Sequence, residues 1–351
     1  MTKINKHIEI IRSTTNGLIS LGAKDSAAIQ NILMQHYTTV GITVVNNISD
    51  LEAAVLKQPD LMFLGTKFMP ADPSKSILRA GKIWVADYLD DASIAYTGSG
   101  SKAQELARDK QSAKHQAIKA GLNTSFYHVI EKNQQFSEST INLTYPVFIK
   151  PTSRGGGLGI DEASLAYNYA DLRTKVMSIF NELDSDVLIE EYLPGREFSV
   201  AVMKIAGTNE LSLMPIEIVS PISAQGTGFL TEMVKKSDTE TTSIVLGSKL
   251  RQSLNDLAAG VFTALGSNGY GRIDMKIDVR GEPSFIEANL LPGLSDHGYM
   301  ARCFHMNAGV TYKDMLLRIV SLGLEKPKNR QVDDESIAII SSLFDANPVI
   351  K

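Results

Sequence analysis

The chain has 351 residues, 43% hydrophobic and 21% charged, which is ordinary for a globular protein and too long for one core, so two or three packed domains are expected. A formal charge of −4 provides no global basic field for nucleic acid or anionic lipid, and no apolar run is long enough to span a bilayer. The single cysteine, Cys303, excludes an intrachain disulfide, and the start of the chain lacks the apolar stretch of a signal peptide, so a reducing, cytoplasmic setting is expected.

In chain order, short apolar strands are expected at 7–11, 42–46 and 61–64, with helices at 27–36 and 51–56 between them. Such alternation predicts a parallel α/β sheet. Tyr96-Thr-Gly-Ser-Gly-Ser101 punctuates the chain, and one helix is expected from there to Gly121, capped by Ser99 or Ser101. Next come a strand at 146–150, a helix at 165–180 and a strand at Val187–Glu191, broken by Pro194-Gly195. A strand at 198–205, a helix at 248–265, two strands around a turn and two closing helices complete the pattern, the last starting at Thr311 with Asp314 at capping-box spacing. Domain boundaries are expected at 1–101, 102–194 and 195–330, with 331–351 as a tail.

Tyr145-Pro-Val-Phe-Ile-Lys-Pro-Thr-Ser-Arg-Gly-Gly-Gly-Leu-Gly159 carries the first chemical signal. A strand ends on Lys150 and feeds a loop holding Gly155, Gly156, Gly157 and Gly159. Glycines let backbone N–H groups turn inward around an anion, and the lysine adds a point charge. A glycine-rich turn without a ligand is the plainer alternative. No ribose-binding acid follows at dinucleotide-fold spacing, and no Gly-Lys-Ser/Thr closes the loop as in a Walker motif.

The second signal is Gly271-Arg-Ile-Asp-Met-Lys-Ile-Asp-Val279, a strict alternation followed by Arg280-Gly281 and the returning strand Pro283–Asn289. A two-residue turn at Arg280-Gly281 sets Asp274 opposite Glu287 and Arg272 opposite Asn289, all on one face. Carboxylates directly opposite each other repel unless a cation lies between them, and Mg2+ suits two carboxylates and an amide oxygen. Arg272 can hold a phosphoryl group or oxyanion bidentately. The alternative is a solvated polar face whose acids are satisfied by Arg272 and Lys276.

With these segments in view, residues 85–320 resemble the ATP-grasp superfamily, within it the D-alanine–D-alanine ligase branch. The resemblance rests on Ile94-Ala-Tyr-Thr-Gly-Ser99 with Arg108-Asp-Lys110, on Val147-Phe-Ile-Lys-Pro151 and its glycine loop, on Val187 through Phe198, and on Gly271-Arg-Ile-Asp274 with Phe285 through Gly293. It implies an ATP-grasp fold: an N-terminal parallel α/β domain, a central lid domain and a C-terminal domain, with ATP between the last two. It also implies that Lys110 and Lys150 bind ATP phosphates, that Glu190, Glu191 and Leu193 lie at the adenine, and that Glu197 takes the ribose. Asp274, Glu287 and Asn289 would hold two Mg2+ ions, with Mn2+ as an alternative. Arg272 and the Gly293 N–H would steady the transferred phosphoryl group and the oxyanion. A carboxylate would be activated as an acyl phosphate and joined to an amine. Both substrates are expected to be small molecules, most simply amino acids, with a homodimer as one possible assembly and no nucleic-acid or membrane partner.

The first domain departs from that branch. Gly17-Leu-Ile-Ser-Leu-Gly22 stands where a glutamate-bearing motif is usual, and Gly65-Thr-Lys-Phe-Met69 where a His-Gly pair is usual. Gly156-Gly157 replaces serines, and Gly298 replaces a serine that helps bind the second substrate, with Ser295 or His297 as substitutes. D-alanine is therefore expected to be a poor substrate unless Asp25, Asp72 or Asp296 supplies a replacement charge. The rivals are a ligase for other amino acids, or for a small acid and an amino acid, and a nucleotide-binding protein without ligation. Residues 223–236 are expected to close as a flap. Trp84, Tyr88, His297 and His305 are read as core or surface, and Cys303 as a small buried hydrophobe.

Overall fold

The computed structural model describes residues 2–325 apart from 16, 73, 76–80, 222–227, 229–233, 235, 236 and 238. The expected tail lies outside the described residues, as does most of the expected flap.

The first sheet contains β1 (Ile4–Arg12), β2 (Tyr37–Val44) and β3 (Leu61–Gly65). A small antiparallel pair, β4 (Phe68–Pro70) and β5 (Lys82–Trp84), follows, and β6 (Ala95–Tyr96) returns to the first sheet in the order β2-β1-β3-β6, all parallel. β3 is buried at every residue, as a central parallel strand must be. β2 begins five residues earlier than expected because it is the edge strand, where exposed Thr38 and Thr39 replace an apolar run. The first helix, Ala23–Leu33, likewise starts earlier than expected, behind Gly22 in extended conformation.

The expected single helix at 101–120 is two helices, Ser101–Arg108 and Lys110–Lys119. Asp109 takes an extended conformation, and its side chain accepts from Ser112 N at 2.7 Å, capping the second helix. Neither Ser99 nor Ser101 caps the first; Gly100 occupies that position, and the Ser99 hydroxyl donates to Asn268 O. The break places Lys110 at a helix start, with its backbone N–H donating to Thr152 O at 3.0 Å.

The second sheet, β7 (Tyr127–Ile130), β8 (Val147–Pro151), β9 (Leu165–Ala166) and β10 (Val187–Glu191), is antiparallel in the order β7-β10-β8-β9. The helix between β9 and β10 begins at Tyr169 instead of 165, because the Asn168 side chain caps it. The third sheet comprises β11 (Glu197–Lys204), β12 (Leu211–Val219), β13 (Thr241–Ile244), β14 (Tyr270–Ile277) and β15 (Pro283–Asn289), ordered β13-β12-β11-β14-β15. Helix Ser248–Ala264 covers one face through Leu254, Ala258, Val261 and Phe262. The other face meets helix Tyr299–Ala308, and the core there is continuous with that of the first sheet, through residues such as Ala201, Met203, Phe304 and Leu316. Thr311 caps the last helix, Tyr312–Leu324, as expected, accepting from Asp314 N at 3.1 Å. Cys303 is fully buried, and Trp84 packs on Phe68 and Leu18. Among the described residues no helix is long and apolar enough to cross a membrane.

Candidate active site between the second and third sheets

The hairpin of β14 and β15 has the expected pairing at its functional end and a different one at its turn. Asp274 lies opposite Glu287, and Arg272 opposite Asn289. Nearer the turn, Met275 pairs with Phe285 and Ile277 with Pro283, so the loop spans 278–282 and is not the two-residue turn at Arg280-Gly281. A bulge at Ile286 takes up the one-residue offset and restores the register. Asp278 holds the loop by accepting from Arg280 N and Glu282 N.

Each oxygen-bearing group of this face has a cationic neighbour. Arg272 clasps Asp274 with Nε–Oδ1 at 2.9 Å and Nη2–Oδ2 at 2.8 Å, and Ser199 donates to Oδ1 at 2.6 Å. Burial works to lower the Arg272 pKa, but the Asp274 carboxylate, with Glu287 behind it, raises it on balance. Lys110 Nζ is 3.6 Å from Glu287 Oε2 and donates to Arg154 O at 2.5 Å. Lys67 Nζ, carried by the turn after β3, is 3.5 Å from Asn289 Oδ1. Burial, then Arg108, Lys110 and Arg272, pull the Lys67 pKa down to about 8 against the attraction of Glu287.

A second cluster lies deeper. Glu190 on β10 is 4% exposed and joins Lys150 on β8 and Lys114, the latter at 2.6 Å. Lys114 Nζ also donates to Thr124 Oγ1, Ser125 Oγ and Phe285 O, fastening its helix to both sheets. Burial pushes the Glu190 carboxyl up, yet the two lysines hold it down at about 2. Burial draws Lys114 down to about 8 despite Glu190, and it stays protonated at neutral pH.

One cleft takes in part of both clusters, without Arg272, Asn289, Lys110, Lys67 or Lys114 in its lining. Lys150, Glu190, Glu191, Leu193, Glu197, Asp274 and Glu287 line it, with Phe148, Tyr192, Lys276 and Ile286. The chain passes between the two sheets at Gly195, where a Cβ would come within 2.4 Å of Ile277 O, so only glycine permits that close approach. Ile160, just beyond the glycine loop, closes one side of the cleft. Gly156 and Gly157 have φ of +70° and +83°, in the left-handed region that favours glycine, and Gly155 and Gly156 face open space. Gly293 stands elsewhere: the nearest atom to a Cβ built there is Ser20 O at 4.0 Å, in the loop between β1 and the first helix.

Sequence reasoning missed four residues. Lys114 follows Lys110 by one helical turn, a spacing that could have revealed it. Lys67 sits just past the carboxyl end of a parallel strand, the usual edge for binding groups. Glu240 and Tyr299 gave no signal. The Tyr299 hydroxyl donates to Glu240 Oε1 at 2.5 Å, Glu240 Oε2 is buried without a partner, and the Arg272 guanidinium lies 5.0 Å from the Tyr299 ring centre. Of the three acids expected to offer a replacement charge, Asp72 is held by Ser74 and Lys75, Asp296 is exposed beside His297, and Asp25 is half-buried near Tyr312.

Residues 117–321 match the family described as D-ala D-ala ligase C-terminus. A D-alanine–D-alanine ligase of Hydrogenovibrio crunogenus is 27% identical over 236 residues, covering 67% of this chain and 72% of that protein. One from Bordetella petrii is 31% identical over 231 residues, covering 65% and 68%. The crystal structure of the Bacillus anthracis D-alanine–D-alanine ligase complexed with ATP superposes with a TM-score of 0.69 at 20% identity, over 91% of this chain and 97% of that one.

Proposed function

The chain belongs to the D-alanine–D-alanine ligase family and is an ATP-dependent ligase forming a carbon–nitrogen bond; we propose that it activates a small carboxylic acid as an acyl phosphate in the cleft between the second and third sheets. The observation that carries this reading is the convergence of Lys150, Glu190, Glu191, Leu193, Glu197, Asp274 and Glu287, from separate stretches of chain, on one cavity. We assign the adenine to Glu190, Glu191 and Leu193, the ribose to Glu197, and the phosphates to Lys110, Lys150 and the N–H groups of Gly155, Gly156 and Gly157. The division at residues 101 and 194 is part of the proposal, supported by the confinement of each sheet to one segment.

The hairpin face fits Mg2+ by its donor chemistry. Asp274, Glu287 and Asn289 offer hard oxygens on adjacent positions, and an ion so held completes its shell with phosphate oxygens and water. Among the described residues no group of three His, Cys, Asp or Glu side chains could by itself hold a metal. Bound there, the metal would neutralise phosphate charge and polarise the transferred phosphoryl group.

The chain's own groups do the rest. Lys150 and Lys110 place the phosphates in line with the acid, and proximity supplies much of the rate. Arg272, oriented by Asp274 below it and Tyr299 beside it, faces the charge that grows on the reacting oxygens. The Gly293 N–H offers a donor to the oxyanion formed when the amine attacks. The glycine loop excludes water from the acyl phosphate.

The test is ADP formation with Mg2+, ATP and a panel of acids and amines, with the product confirmed by mass. ADP release that requires both an acid and an amine supports ligation. Tight ATP binding without acid-dependent ADP release would instead make the chain a nucleotide-binding protein.

A further inference from the structure

The hairpin centre carries more positive charge than its acids balance. Arg272 has Asp274 and Lys110 has Glu287, but among the described residues Lys67 and Arg108 have no carboxylate at ion-pair distance. Lys67 donates to the neutral Asn289 amide and feels Glu287 at longer range, and Arg108 lies 5.4 Å from the centre of the Phe68 ring. Both are partly buried, and burial lowers both pKa values, helped by Arg108 at Lys67 and by Arg154 at Arg108, against the pull of Glu287 on Lys67 and of Asp109 and Glu105 on Arg108. An ammonium withdrawn from water without a counter-charge is unfavourable, so this corner favours an anion.

The opposite wall offers a carbonyl but no carboxylate. The loop Gly17–Gly22 that approaches Gly293 presents the Ser20 carbonyl, and Leu18 packs against Phe68 and Trp84. No carboxylate lies in that loop. Asp72 and Asp296 are already engaged by Lys75 and His297, and Asp25 belongs to the first turn of the following helix. A zwitterionic amino acid would bring its ammonium toward Lys67 and Arg108, and none of Asp25, Asp72 and Asp296 is placed to receive it; Glu240, 7% exposed, is bonded to Tyr299.

With the hairpin as the acyl-transfer centre, as proposed above, we propose that the acid substrate is a dicarboxylate: one carboxylate is activated at Arg272, and the other is received by Lys67, with Arg108 behind it. Lys67 is then a specificity-determining residue supplied by the first domain. It stands in the segment Gly65-Thr-Lys-Phe-Met69, where the sequence leaves the pattern of the D-alanine-using branch.

The experiment is isothermal titration calorimetry of the full chain with Mg2+ and ADP present, using succinate, glutarate, propionate and D-alanine as probes. At least one dicarboxylate is expected to bind about tenfold or more tightly than propionate and D-alanine. Lys67→Met should remove about tenfold of that affinity for the dicarboxylate while propionate binding changes little, and Lys67→Arg should retain most of it. D-alanine binding as tightly as both dicarboxylates would overturn the proposal. So would equal losses for all four probes in Lys67→Met, which would mark the lysine as structural. ADP formation separates this inference from the ligase reading. Dicarboxylate binding through Lys67 without turnover with any amine defeats the ligase reading alone. Turnover with D-alanine as the tightest-binding acid defeats the dicarboxylate alone.

Discussion

Glu190→Gln is the most informative single substitution, because the carboxylate is shared by two buried lysines. The change keeps shape and removes one charge, leaving Lys114 at 0% and Lys150 at 4% side-chain exposure without an anion. In the native protein the Glu190 pKa is depressed from 4.5 to about 2, which corresponds to about 3 kcal/mol of stability at neutral pH. Loss of one partner from a buried ion pair costs about 3–5 kcal/mol, so the two routes agree. The sign follows from the direction of the shift: the stabilisation is complete above the unfolded value of 4.5 and disappears as pH falls toward 2. Urea denaturation of the nucleotide-free protein at pH 7, followed by circular dichroism, should show a clearly lower midpoint for the variant. The gap between variant and wild type should narrow below pH 4.5. An unchanged midpoint at pH 7, or a gap that widens with acid, would refute the account of this triad as a charge-compensated fastening between the helix at Lys110–Lys119 and the two sheets.

Other substitutions separate the remaining parts. Glu287→Gln should preserve the fold by circular dichroism and lose most turnover at ordinary Mg2+ concentrations; wild-type-like activity would exclude the hairpin as a metal site. Lys150→Ala should raise the Kd for ATP in a calorimetric titration, and because Lys150 also pairs with Glu190 it should lower the denaturation midpoint without nucleotide as well. If neither quantity moves, the lysine serves neither phosphate nor triad. Tyr299→Phe removes the hydrogen bond from Tyr299 to the buried Glu240 carboxylate and should cost about 1–3 kcal/mol in urea denaturation. It should also slow turnover through Arg272 with little change in the KM for ATP, and equal kcat would dissociate the Tyr299 ring from the work of Arg272.

Much of this protein was already legible in local sequence. Strict alternation along Tyr270–Ile277 placed Arg272 and Asp274 on one face, because side-chain direction in a strand depends only on residue parity. Glycines at 156 and 157 stand where the backbone enters the left-handed region, and the parallel sheet followed from alternating apolar runs. Boundaries failed where a competing local preference intervened: Asp109 capping a second helix, Asn168 delaying another, and threonines in the edge strand β2. The hairpin register shows how local reading can succeed by compensation, since the loop is longer than a two-residue turn and the bulge at Ile286 cancels the difference. Tertiary structure alone decided which charges meet. Lys67 and Asn289 are 222 positions apart, Lys114 and Phe285 171, and Glu240 and Tyr299 59. No periodicity encodes such separations; they arise when three sheets and their helices pack. Burial then sets what each charge costs, so Glu190 is held ionised between two lysines while Lys67 bonds a neutral amide with Glu287 farther off, a difference that composition and spacing do not contain.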